Sequence, residues 1–504
     1  MLKIIESGVV MTEKGKEQNA LFIIFGATGD LAQRKLYPSL FNLYKKGFLC
    51  KRFAVIGTAR RPWTDEHFQQ VVRNSISGME DTAAQATEFS RHFYYQSHNV
   101  NDVEHYVTLK KLAEKLDEKY KINGNRLFYL AMSPRFFGTI CKYLKSEEIV
   151  TDEGYNRVII EKPFGHDLQS AVELNDEIAK YFSEESVYRI DHYLGKEMNQ
   201  NILAVRFGNN IFRALWNNRY IDNIQITLSE SLGVEDRAGY YETAGALRDM
   251  VQNHILQIVS LLTMNAPVTF TDVDIRREKI SALKALQLYT PEEVKKYFVR
   301  GQYAHTEDLN GYREEDQVDP NSTTETFVAG KLHVNSMNFA GVPIYIRTGK
   351  RLAAKSTRVD VVFKNMPNNI FNANKKLLPN VLSFDIDANP GMSLTLNTKK
   401  VSQSGYKLEN RALSYRHDIS TQAITPEAYE KLILDAVKGD ATNFVHWEEV
   451  YYSWRFIDSV RTAWDNEDVT PDELTNYNCN TMGPKISDEL LAKDGNYWFF
   501  DPTK

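Results

Sequence analysis

The feature that most limits the fold is short: Leu21-Phe22-Ile23-Ile24-Phe25 runs straight into Gly26-Ala27-Thr28-Gly29. Five consecutive apolar residues leave no polar face, so the segment belongs where both sides are covered, as in a parallel sheet. After the glycine turn the pattern switches to a helical period, with Leu36, Leu40 and Leu43 at i, i+4 and i+7 and Gly47 placed to stop the helix. Pro38 should kink that helix or make its first turns irregular. Phe53–Gly57, Arg126–Met132 and Arg157–Ile160 repeat the strand signal, with helix-like stretches such as Val103–Tyr120 between them. This alternation, up to about residue 190, predicts a doubly wound parallel sheet.

A chain of 504 residues is too long for one core, and two large domains are expected. Beyond residue 200 a long helix, roughly Ala244–Met264, joins alternating segments at Asp222–Ser229, Phe327–Val334 and Val359–Lys364. That texture predicts an α+β domain with a mainly antiparallel sheet. Gly311–Thr326 is acidic and turn-rich, the pattern of an exposed connection. The expected division is a loose leader over 1–20, with Met11 as a possible start, then domains over 21–191 and 192–504. A net charge of -5 carries no basic footprint for nucleic acid. No apolar run reaches membrane-spanning length, and the leader lacks a signal peptide's apolar region. Cys50, Cys141 and Cys479 lie far apart without paired ligand spacing, which predicts reduced thiols, a cytoplasmic setting and no metal.

Glycines at a strand-to-helix turn let backbone N–H groups approach a pyrophosphate at the helix N-terminus. Gly26, Ala27, Thr28, Gly29, Asp30 and Leu31 form a relaxed version of that fingerprint. Chains that select NAD carry an acid at the end of the second strand, yet none occurs here between Asp30 and Asp65. Arg60 and Arg61 stand there instead, and guanidinium groups suit a 2′-phosphate. The expected cofactor is therefore NADP, with tolerance for NAD left open.

Arg189-Ile190-Asp191-His192-Tyr193-Leu194-Gly195-Lys196-Glu197 packs a carboxylate, an imidazole, a phenol and an ammonium together. If it opens a helix, His192 and Lys196 share a face near the positive end of the dipole, a ready anion site. Taken alone, the run also fits a solvated helix start. Lys162 closes a strand at the edge where open sheets bind ligands, and Pro163 aims it off that edge. A cis bond there has a prior of about 5–6%. His254 lies on a long helix with Asp249 and Asn253 near the same end. On an ideal α-helix, residues five apart diverge by roughly 140°, so Asp249 should not orient His254 and Asp191 is the candidate. Lys350 and Lys355 follow an apolar strand as mobile donors, and Glu230 ends another strand as an acceptor.

Together these segments closely resemble the glucose-6-phosphate dehydrogenase family, in its bacterial form. The resemblance runs from about Leu21 to the C-terminal region, including Pro426-Glu427-Ala428-Tyr429-Glu430-Lys431-Leu432-Ile433. It implies a Rossmann-like NADP domain and a larger substrate-binding and oligomerisation domain. It also implies His254 as the general base, Asp191 as its orienting carboxylate, and Lys162 beside the reacting centre. His192, Tyr193 and Lys196 would hold the phosphate of glucose 6-phosphate. Glu230, Asp249, Lys350 and Lys355 would touch the sugar or its phosphate. A cis bond before Pro163 and assembly as a homodimer or homotetramer are implied too. Residues 366–420 match no motif. Two other readings remain: a dehydrogenase of unphosphorylated sugars, against which the cation set speaks, and an NADPH-sensing protein, which needs no paired Asp191 and His254.

Overall fold

The computed structural model describes residues 18–49, 51–79, 81–372, 375–401, 405–417, 425–467 and 474–503. Most of the leader, including Met11, and Cys50 lie outside them. The chain divides into two compact units. The first takes residues up to Phe164, Glu173–His192 and Pro426–Val445; the second takes Gly165–Val172, Tyr193–Thr425 and the chain from His446 onward.

In the first unit, β1 (Ala20–Phe25), β2 (Phe53–Ala59), β3 (Phe93–Ser97), β4 (Arg126–Leu130), β5 (Asn156–Ile160) and β6 (Val187–Arg189) form one sheet. Its order is β3-β2-β1-β4-β5-β6 and every pairing is parallel, as the apolar runs predict. All six residues of β1 are buried. Strand order reverses at β1, which places the ligand crevice at the C-terminal ends of β1 and β4. Val103–Tyr120 is a helix with the predicted bounds. The first helix shows what Pro38 does: a π-helical turn over Ala32–Leu36 precedes the regular helix Tyr37–Lys45. Proline has no N–H to donate, so the turn before it is free to widen.

The helix Ala428–Lys438 completes this unit's core. Tyr429, Leu432, Ile433 and Ala436 join one apolar cluster with Phe22 and Ile24 of β1, Ile159 of β5 and Tyr188. At 25 cal/mol per Å² of apolar surface, each such side chain contributes about 1.5–3 kcal/mol. A boundary drawn once along the chain does not convey this return.

The second unit holds β7 (Ile221–Ser229), β8 (Phe298–Tyr303), β9 (Phe327–Leu332), β10 (Ile344–Gly349), β11 (Ser356–Phe363), β12 (Val381–Asp387), β13 (Gly391–Lys399), β14 (Leu408–Arg416) and β15 (Thr475–Tyr477). They pair as β14-β13-β12-β11-β7-β10-β9-β8-β15. The sheet is mainly antiparallel, with β7–β10 and β8–β15 parallel.

Two expectations change here. The long helix is not one regular helix: Ala238–Ala246 breaks at Gly245 (φ 66°), Leu247–Ile255 is π-helical, and Leu256–Thr263 is regular. The α-helical divergence assumed between Asp249 and His254 therefore does not apply, because π-helical bonding runs from i to i+5. Gly311–Thr326 is exposed only in its middle. Tyr312, Glu325 and Thr326 are buried, because the polar groups of this segment fold inward onto the helix break. The Tyr312 hydroxyl donates to Glu242, while the Glu325 carboxylate accepts from the Leu247 N–H at 3.1 Å and pairs with Arg461 at 3.1 Å.

Candidate active site

In the first unit the turn after β1 opens a cleft of about 670 Å³ lined by Gly26, Thr28, Gly29, Arg60, Arg61 and His98, among others. Gly26 is obligatory: at φ +92° a Cβ would sit 2.2 Å from the Ala131 carbonyl oxygen. The cradle is thus bare backbone, as a pyrophosphate requires. Arg60 and Arg61 are exposed at the mouth, and the Arg61 guanidinium lies over the Trp63 ring at 5.6 Å. Of the predicted cofactor residues, Ala27, Asp30, Leu31 and Lys162 do not line the cleft. Ala27 is buried with its carbonyl taken by Tyr37, Asp30 pairs with Arg34 at 2.6 Å, and Leu31 packs on the core.

Sequence reasoning missed His98, which follows β3. It is 2% exposed, burial lowers it to about 4, and its Nε2 has no hydrogen-bond partner among the described residues. A neutral imidazole with an unspent ring nitrogen beside this cleft fits a ligand that can bond it.

Elsewhere in this unit, Lys162 lies two residues beyond the end of β5, and its bond to Pro163 is cis. Glu161, next to it, accepts from the Tyr129 hydroxyl at 2.6 Å. Asp191 is 2% exposed. The His192 ring lies parallel to Tyr429 at 6.3 Å.

In the second unit, Tyr193 stacks on His254 with ring centroids 4.1 Å apart. The histidine is 1% exposed and sits in the π-helical segment. Asp249 accepts from the Tyr240 hydroxyl at 3.3 Å, in the same segment. Lys196 lies over the Tyr193 ring at 3.9 Å and reaches Asp387 at 2.9 Å. Lys355 approaches the same Asp387 oxygen at 3.7 Å. Burial alone would raise the Asp387 carboxyl; Lys196, with help from Lys355, outweighs it and holds the group below its ordinary value. Lys350 pairs with Glu230 at 2.8 Å and stands over the Tyr241 ring at 5.0 Å. Asp249 and Glu230 both act electrostatically on Tyr241, so these three predicted residues surround one buried phenol.

Asp387 and Tyr241 were not foreseen. Asp387 ends β12 two residues after Asp385, inside the stretch without a motif. Glu325 was missed because it stands near the end of Gly311–Thr326, an acidic stretch that reads as an exposed connection. A carboxylate on the first N–H groups of a helix is favoured by the dipole, and here it anchors the helix bearing Asp249 and His254.

Two family descriptions match in tandem: the NAD binding domain of glucose-6-phosphate dehydrogenase over residues 23–201, and its C-terminal domain over residues 203–499. The chain belongs to the glucose-6-phosphate dehydrogenase family. Glucose-6-phosphate 1-dehydrogenase of Streptococcus pneumoniae serotype 4 is 52% identical, over 95% of this chain and 96% of that one. The Bacillus subtilis protein of that name is 51% identical, over 96% and 99%. A solved glucose-6-phosphate dehydrogenase in complex with its substrate glucose-6-phosphate superposes with a TM-score of 0.88 at 35% identity, covering 96% of this chain and 99% of that one. The Mycobacterium avium structure gives 0.82 at 31% identity over 96% and 99%. Family membership agrees with both sheets, and no helix among the described residues is long and apolar enough to cross a membrane.

Proposed function

We infer that this chain oxidises D-glucose 6-phosphate to 6-phospho-D-glucono-1,5-lactone with hydride transfer to NADP, the step that opens the oxidative pentose phosphate pathway. The observation that carries the reading is the stacking of Tyr193 on His254 at 4.1 Å, with Lys196 held over the same ring. It joins the signature segment to the proposed base in a chain that covers 96% and 99% of the two relatives' lengths.

His254 removes the proton of the anomeric hydroxyl; an imidazole supplies a base near working pH. Asp191 lies two residues before Tyr193 along the chain, which supports its role as the carboxylate that orients His254 and stabilises the imidazolium. His192, Tyr193 and Lys196 take the phosphate, and Lys355 is a further cation for it. Asp387 offsets part of the charge of the two lysines until an anion takes over that duty. Glu230, Asp249 and Lys350 accept from and donate to the sugar hydroxyls. Lys162 stands beside the reacting carbon.

Gly26, Ala27, Thr28, Gly29, Asp30 and Leu31 form the turn that would hold the dinucleotide, with Lys162 at the nicotinamide end. When bound, the nicotinamide accepts the hydride; the residues orient it and exclude water. Arg60 and Arg61 at the cleft mouth favour NADP. Exposed Leu413 and Tyr415 on β14 support assembly as a homodimer or homotetramer through the second unit. Free thiols at Cys141 and Cys479 support a cytoplasmic setting.

Mixing the protein with glucose 6-phosphate and NADP should produce NADPH absorbance. Free glucose in place of the phosphorylated sugar should give almost none; equal rates would overturn the phosphate assignment.

A further inference from the structure

Glu161 is a titratable group to which the proposed reaction gives no role. It follows Ile160, the last residue of β5, and directly precedes Lys162. Ile159, two residues before it, belongs to the same apolar cluster as Tyr129 and Tyr429. The Tyr129 hydroxyl donates to Glu161 Oε1 at 2.6 Å, and the Tyr429 hydroxyl is a second donor. One donor stands on β4 of the same sheet. The other comes from Ala428–Lys438, the helix that rejoins this unit late in the chain. Donors from two separate elements fix both the place and the orientation of a carboxyl. On the other side, Pro163 restricts Lys162 to extended backbone. The strand end that carries Lys162 is thus gripped from both directions.

We propose that Glu161 is a positioning residue for Lys162: bonded to Tyr129 and Tyr429, its carboxylate holds the strand end from which Lys162 reaches the reacting centre, and its protonation loosens that hold. The proposal rests on the reading that Lys162 stands at the reaction site. Burial pushes the Glu161 carboxyl up to about 7, against the opposing pull of the Tyr129 hydroxyl, the Lys162 charge and the Tyr429 hydroxyl. Tyr429 in turn faces Asp191 and Glu427. Near neutrality the carboxyl passes between an ionised form, which attracts Lys162 and accepts both phenols, and a neutral form, which attracts no cation. Each phenol favours the ionised form, so removing one must raise the pH at which Glu161 loses its charge.

The test is the pH profile of kcat with glucose 6-phosphate and NADP, in four proteins: wild type, Tyr429→Phe, Glu161→Gln and the double variant. Phenylalanine keeps the ring in the core, and a thermal melt checks that it does. Tyr429→Phe should move the acidic limb of kcat to higher pH and leave the alkaline plateau within about threefold of wild type. Glu161→Gln should lower kcat roughly 10–100-fold with KM for both substrates little changed, as a small misplacement of a reacting group does. The double variant should follow the Glu161→Gln profile, because the phenol acts through the carboxyl. A merely structural role would depress kcat equally at every pH. An unmoved limb in Tyr429→Phe, the same shift in both backgrounds, or near-normal turnover in Glu161→Gln would each overturn the proposal. A wild-type protein without turnover would overturn the assigned reaction, and this proposal with it.

Discussion

His254 carries two commitments: it is almost wholly buried, and it stacks on Tyr193 within the second unit. A group so enclosed can act as the proposed base only on a substrate brought to it. His254→Asn should therefore lower turnover about 10²–10⁴-fold while sugar-phosphate binding stays nearly intact; normal turnover would remove it from the mechanism. Arg60 lines the cleft and is the proposed partner of the 2′-phosphate. Arg60→Ala should weaken NADP binding roughly 10–100-fold, the worth of a charge-assisted hydrogen bond, and spare NAD. Titration calorimetry with each cofactor decides it, and equal losses would refute the role. His98 predicts an effect on stability. Its folded pKa of about 4 lies below the ordinary 6.5, chiefly through burial, so the fold disfavours its charged form. The stability it contributes is complete above that ordinary value and lost as pH falls towards the folded one, about 3 kcal/mol in all. Urea unfolding near neutrality and near pH ~5 should show a shallower acid loss for His98→Gln than for wild type. Among these residues His254 and Arg60 stand out in the sequence as candidates, by motif and position. His98 does not, since a single histidine after a strand carries no pattern, and Asp387 was hidden likewise. Glu161 was visible as a neighbour of Lys162, but its tyrosines come from segments that only the fold brings together.

Regular elements were read well wherever burial and period agreed. β1 is buried along its whole length, and Val103–Tyr120 repeats its apolar positions over several turns. The π-helical stretch Leu247–Ile255 escaped, because side-chain pattern reports which faces are apolar and not how many residues make a turn. Its cause is local. At Gly245 the chain turns through φ 66°, and a Cβ there would lie 2.4 Å from the Glu325 carboxylate. Glu325 occupies that space to cap the helix beyond it. Glu325→Ala should cost about 3 kcal/mol, because it strips a buried carboxylate from Arg461 and from the helix start. It should also lower kcat by displacing His254. A denaturant midpoint equal to wild type would show that the cap is dispensable. Gly245→Ala should fail in the same direction, since the added methyl meets that carboxylate and the backbone angle disfavours it.

At the level of the whole molecule the chain passes between its two units repeatedly, at Phe164, Glu173, Tyr193, Pro426 and His446. The alternating first half and the changed texture beyond residue 200 made two domains legible; the crossings were not, because a helix that docks far from its sequence neighbours looks like any other. A fragment ending at His192 should therefore fail to form a stable first unit. It lacks Tyr429, Leu432, Ile433, Ala436 and Phe444, which share a core with Phe22 and Tyr188. Cooperative unfolding of that fragment, with NADP raising its melting temperature, would disprove the requirement. The same feature sets a timetable during synthesis. Domains usually fold in order as they leave the ribosome, but this nucleotide-binding unit, first to be translated, cannot close until Val445 has emerged. Most of the second unit is made while the first still waits with its apolar flank uncovered. The interval in which the nascent chain is most exposed to aggregation is thus written into where one helix sits in the gene.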